Sequence, residues 1–132
     1  AGDYIAPFSL KELMNVNSKF FGVFGNNDGE RKGLLAVCKD IHEPPYDFIL
    51  DGKHIMVTHM IESLSRRSIV NTDIIVSAHT HTPEIKQGNP MYINPGECGG
   101  WLHDKSTVAI LDVKTFHAEI IDLSTVSLGK GY

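Results

Sequence analysis

Cysteine is scarce in this chain: Cys38 and Cys98 are the only two among 132 residues, too few for a disulfide framework in a domain of this size. A reducing cytoplasm is therefore the default compartment. Long apolar runs are absent as well. None approaches the roughly 20 residues needed to cross a bilayer, and no basic-then-apolar leader opens the chain, so no membrane span is expected. Basic runs stop at the pairs Arg31-Lys32 and Arg66-Arg67, and 12 basic against 16 acidic residues give a net charge of -4. The electrostatic footprint of a nucleic-acid binder is missing. Internal repeats, low-complexity tracts and linkers are lacking too. What remains is ordinary globular composition, 42% hydrophobic and 21% charged, which fits neither disorder nor a coiled coil. The length suits one domain with a real core, so residues 1–132 are read as a single domain.

Local patterns divide the chain into short elements. Ser9-Leu10-Lys11-Glu12 has the form of a capping box, with Leu10, Leu13 and Met14 at helical spacing, which predicts a helix over about residues 8 to 15. Lys19 to Gly25 reads as a buried strand broken by Asn26-Asn27-Asp28-Gly29. A second helix is expected over Glu30 to Asp40, stopped by Pro44-Pro45. Tyr46 to Leu50 and Lys53 to Thr58, joined by Asp51-Gly52, carry the strongest short hairpin signal. Met60 to Val70 is expected to be helical and Asp73 to Ala78 a fully apolar strand. Three further strands are expected at Met91 to Ile93, Ser106 to Asp112 and Phe116 to Leu123. Helices between strands early and consecutive strands late imply an α/β or α+β sandwich.

Three of the apolar strands run into a metal-capable side chain: Asn26, His59 and His79, with His81 two residues further on. Strand ends are where open α/β sheets present ligand sites, and a fixed sheet holds such a side chain at little entropic cost. Taken singly, each has a plainer explanation. Asn26 sits in ordinary turn chemistry, His59 alone reads as a hydrogen-bonded surface residue, and His79-Thr80-His81 on an extended segment would put both rings on one side of the chain. The combination favours a shared site. If the histidines merely cap strands, nothing binds there.

Gly2-Asp3, Gly25-Asn26-Asn27-Asp28, Thr58-His59 and Ala78-His79-Thr80-His81 resemble, in order, the GD, GN(H/N)D, GH-type and GHTH motifs of the calcineurin-like metallophosphoesterases. Asn94-Pro95-Gly96-Glu97 is similar to the NPG loop of their small bacterial and archaeal phosphodiesterase branch. The resemblance implies an αββα sandwich of two mixed β-sheets flanked by helices, and metal-dependent hydrolysis of a small phosphoester by activated water. It implies Asp3 as a carboxylate bridging two metals, Asn26, His59 and His79 as the rest of one site, and His81 as a ligand of the other. Asp28 would orient its neighbours as a hydrogen-bond acceptor. Carboxylate, amide and imidazole ligands favour a divalent transition metal. Mn is the first choice, then Ni or Zn, with Fe and Co compatible.

Against that pattern, the D-x-H strand that opens the family's domains has no counterpart here, since the GD motif already stands at Gly2-Asp3. The expectation is an N-terminally truncated domain, its first strand-helix-strand unit absent. One site then keeps four ligands, and the second, left with Asp3 and His81, is weak or empty. Asn27 occupies the place of the His that protonates the leaving group in many relatives, which favours substrates with good leaving groups. Open sheet edges would favour a homodimer. Cys98 is expected to serve packing, as is Trp101, for which lining the cleft or an interface is the alternative. The alternative is a phosphoesterase-like scaffold that binds a partner protein without catalysis, as the retromer subunit of this fold does.

Overall fold

The computed structural model describes residues 1–16 and 18–126. Two helices lie among nine short strands: α1 (Pro7–Met14), β1 (Gly22–Val23), α2 (Arg31–Val37), β2 (Ile41–His42), β3 (Tyr46–Leu50), β4 (Lys53–Val57), β5 (Ile74–Val76), β6 (Glu84–Lys86), β7 (Met91–Asn94), β8 (Thr107–Asp112) and β9 (His117–Asp122). The fold is mixed α/β with several sheets and flanking helices. Its centre is a five-stranded sheet in the order β3-β4-β5-β7-β6. There β4, β5 and β7 run parallel while β3 and β6 pair antiparallel at the edges. Parallel strands are covered on both faces. Register accordingly aligns Ile55, Ile74 and Met91 toward one face and Met56, Ile75 and Tyr92 toward the other.

Two apolar clusters hold the layers. Ile55, Ile74, Met91 and Ile93 from the large sheet pack with Val113 and Ala118 of the β8-β9 hairpin and its turn. Leu10, Phe24, Leu34 and Ile41 join α1, α2 and the parallel β1-β2 pair. An aromatic seam connects the second cluster to the edge of the large sheet: the Phe21 and Phe48 ring centroids are 4.9 Å apart, and His42 stacks on Tyr46 at 3.7 Å. This seam matters for the site because it sets the Asn26 turn, which follows β1, against the ends of β4 and β5.

Four local expectations need correction. Residues 60–70 are not a helix; only a 3-10 turn, Ile61–Ser63, forms. Serines divert the backbone bonding there, since Ser63 Oγ donates to the Met60 carbonyl and Ser68 Oγ to that of Ser65. The capping box does not form either: α1 starts at Pro7 behind an uncapped Ala6, and Ser9 Oγ donates to the Tyr4 and Ala6 carbonyls instead. The Lys19–Gly25 strand shrinks to Gly22–Val23, because its partner β2 offers only two residues and the Gly25 amide is taken by Asp28. Finally, Cys98 and Trp101 do not serve packing, being exposed on a loop that projects from the sheet. Sequence periodicity had passed over β2 and β6, which are two and three residues long. By contrast the hairpin forms as read, with Asp51 and Gly52 both at positive φ, as a tight two-residue turn requires.

Candidate metal centre

The carboxyl ends of β4 and β5 are tied together before any side chain is considered. Thr58 N donates to the Val76 carbonyl and Ala78 N to the His59 carbonyl, at 2.9 and 3.1 Å. This fixes where His59 and His79 leave the sheet. Asn26 arrives from the turn after β1, and Asp3 from the segment ahead of α1.

That N-terminal segment lies backbone to backbone on the 25–28 turn. Asp28, 3% exposed, accepts the amides of Asp3, Ile5 and Gly25 at 2.8 to 2.9 Å. Asp3 and Ile5 hold φ of 60° and 68°, a region costly for residues with a Cβ. The three charge-assisted bonds to Asp28 offset that strain. The approach also needs glycine: a Cβ on Gly25 would stand 2.1 Å from Asp3 Oδ1, and one on Gly2 would stand 2.7 Å from His59 Nδ1.

Asp3, Asn26, His59 and His79 then converge. His59 Nε2 is 2.7 Å from Asn26 Oδ1, 3.3 Å from His79 Nδ1 and 3.4 Å from Asp3 Oδ2, and His79 Nδ1 is 3.1 Å from Asn26 Oδ1. Bond lengths of about 2.0–2.2 Å around one ion place neighbouring ligand atoms roughly 3 to 3.4 Å apart; the His79–Asn26, His79–His59 and Asp3–His59 approaches have that spacing, and the His59–Asn26 approach is shorter. The donor chemistry agrees. His59 Nδ1 faces the Ala1 carbonyl at 2.8 Å and must donate to it, so in the neutral ring Nε2 presents a lone pair. It points at an amide oxygen, a carboxylate and a second imidazole, and a cation satisfies all four. Among the described residues no group of three His, Cys, Asp or Glu side chains is arranged to hold a metal ion by itself; the cluster is linked through His59 Nε2, which meets the other three side chains, and through the Asn26 amide oxygen, which meets both imidazoles. His59 is buried at the base, while Asn26 and His79 open to solvent.

Asn27 does not stand free beside the centre. Its backbone amide and its Nδ2 donate to the two Asp3 carboxylate oxygens at 2.9 and 3.0 Å. It orients Asp3 and has no proton to transfer.

His81 lies apart from the four-donor cluster. The expectation that His79 and His81 share one side of an extended segment is corrected: both sit at positive φ, 65° and 59°, and the chain reverses between them. His81 Nδ1 instead meets Glu97 Oε2 at 3.2 Å. Glu97 also accepts the amides of Trp101 and Leu102. The Leu102 amide first, then the Trp101 amide and His81, hold its carboxyl below the ordinary value.

Asn94, noted in the sequence only as the first residue of the NPG-like loop, has a supporting role. Asn94, 1% exposed, donates from Nδ2 to the Ala78 carbonyl and to Thr80 Oγ1, both at 3.0 Å, and accepts the Gly96 amide. It pins the end of β7 to the turn bearing His79. The signal for it was present in Asn94-Pro95-Gly96, an amide at a strand end before two turn residues. A cleft of about 550 Å³ is lined by Ile61, Ile75, Thr80, Thr82, Pro83, Glu84, Lys86 and Tyr92; none of the four clustered side chains contributes to it.

Comparison with known proteins points the same way. The family described as the calcineurin-like phosphoesterase superfamily domain matches residues 1–116. A phosphodiesterase of Methanocaldococcus jannaschii is 34% identical over an alignment that takes in 91% of this chain and 78% of that protein. The solved structure of an archaeal phosphodiesterase superposes with a TM-score of 0.81 at 29% identity, over 92% of this chain and 79% of the other. Vacuolar protein sorting 29 of Cryptosporidium parvum, at 15% identity and a TM-score of 0.59 over 92% and 77% of the two chains, shares the fold.

Proposed function

The chain belongs to the calcineurin-like phosphoesterase superfamily, its chemistry is phosphoester hydrolysis, and from that premise we propose a metal-dependent phosphodiesterase acting on a small phosphoester. The observation that carries the reading is the meeting of Asp3, Asn26 and His79 around His59 Nε2, which lies 2.7 to 3.4 Å from Asn26 Oδ1, His79 Nδ1 and Asp3 Oδ2. Mn is the proposed metal, on the mixed oxygen and imidazole donors.

A divalent ion bound there would supply a more acidic coordinated water and offset charge on phosphoryl oxygens. The protein's part would be to hold that ion with Asp3, Asn26, His59 and His79. His59, backed by the Ala1 carbonyl, presents Nε2 in one tautomer. Asn27 holds the Asp3 carboxylate in one rotamer, and Asn94 steadies the turn that carries His79. No side chain is placed as a covalent nucleophile. No proton donor stands at Asn27, which forgoes a factor of about 10²–10⁴ wherever leaving-group protonation limits the rate. Substrates with acidic leaving groups are therefore preferred. His81, held by Glu97, leaves one well-made site and a second that is weak. A homodimer, if formed, has β3 and β6 as the open edges of the large sheet.

Turnover of bis(p-nitrophenyl) phosphate with added Mn tests the activity, and metal content of His59→Ala and His79→Ala tests the site. Both variants should lose metal and turnover together. Equal metal content in variant and parent would reject the ligand assignment. Full metal occupancy without turnover would favour the partner-binding scaffold.

A further inference from the structure

Trp101 is the only tryptophan of the chain and is 87% exposed, with Leu102 beside it 57% exposed. An indole left in water forgoes one of the largest burial gains a side chain can make. The loop that displays it is nonetheless held firmly. Thr107 N donates to the Glu97 carbonyl and closes the neck. Inside the loop, the Glu97 carboxylate accepts the amides of Trp101 and Leu102. Gly100, at φ 66°, lets the chain fold back so closely that a Cβ there would sit 2.6 Å from Ser106 Oγ. A ring shown on a pre-ordered loop loses little entropy when it takes a ligand.

The same carboxylate joins this loop to the candidate centre. Glu97 Oε2, which takes the Leu102 amide, also meets His81 Nδ1 at 3.2 Å, and His81 stands two residues from His79 in the turn pinned by Asn94. One half-buried carboxylate thus ties the Trp101 loop to the turn that carries His79 and His81. We infer that Trp101 is a stacking platform for a planar aromatic group of the phosphoester, held in place by Glu97. This rests on the phosphoesterase reading and adds a substrate class to it: esters carrying an aryl or nucleobase-like ring. Stacking on an aromatic face accepts any such ring, so the platform selects for planarity.

The test uses the full chain with Mn and the emission of its single tryptophan. Phenyl phosphate should quench that emission saturably, and methyl phosphate should not. Trp101→Ala should raise KM for bis(p-nitrophenyl) phosphate about tenfold with kcat little changed, and Trp101→Phe should restore most of the loss. Equal quenching by both phosphates, or an unchanged KM in Trp101→Ala while Mn-dependent turnover persists, overturns the platform and leaves the phosphoesterase standing. If the parent turns over no diester, the enzyme reading fails, and the two titrations still decide whether the ring is bound. Emission that shifts with protein concentration alone would place the indole against a second copy and overturn the proposal.

Discussion

At the scale of single residues, the candidate centre depends on contacts so close that one carbon atom would undo them. Gly25 is the sharpest case. Its Cβ would fall 2.1 Å from Asp3 Oδ1, so Gly25→Ala should push the Asp3 carboxylate off the cluster. We expect at least tenfold weaker metal binding, read by calorimetric titration with Mn. Asp28 is the complementary case, touching no metal ligand's lone pair yet accepting three amides while buried. Asp28→Ala leaves those donors without a partner and should cost about 2–4 kcal/mol of stability in urea unfolding. Asp3, Asn26, His59 and His79 were legible in the sequence because each follows an apolar run or stands in an ordered motif. Asn27's hold on Asp3 was not, since a side chain's partner across 24 residues has no local signature.

Among elements, short-range pairing was the most readable and sparse pairing the least. The β3-β4 hairpin follows directly from Asp51-Gly52, whose backbone preference is a property of those two residues. The missing 60–70 helix shows the opposite: local serine bonds hold all but a 3-10 turn of that segment out of helix. The hairpin also carries a pH signature. Asp47 first, and then the Asn71 carbonyl, raise the pKa of His54 above its ordinary 6.5. The folded state therefore holds that proton more tightly than the unfolded chain. The resulting stabilisation is full below about pH 6.5 and is lost as pH rises through the raised value. Thermal unfolding of the parent and His54→Gln should show the parent's advantage at pH 5.5 shrinking by pH 8.5.

For the whole molecule, the centre is where three separate parts meet: the N-terminal segment, the turn after β1 and the ends of two central strands. A bound ion would tie all three, and binding only the folded state stabilises it by mass action. Mn at a hundred times its Kd should add about 2.7 kcal/mol, visible as a raised Tm that chelation reverses. His59→Ala should show no such shift. A net charge of -4 gives phosphoesters no general attraction to the surface, so the ion itself would supply the local positive field.

The sequence alone determined the family, the mixed α/β character, the hairpin and the identities of the four clustered donors. Motif order, turn chemistry and apolar runs are properties of neighbouring residues. Only the tertiary structure decided that His81 turns to Glu97, that Asn27 serves Asp3, and that Trp101 stands in solvent. Those outcomes rest on backbone reversals at positive φ and on partners distant along the chain, which packing alone brings together.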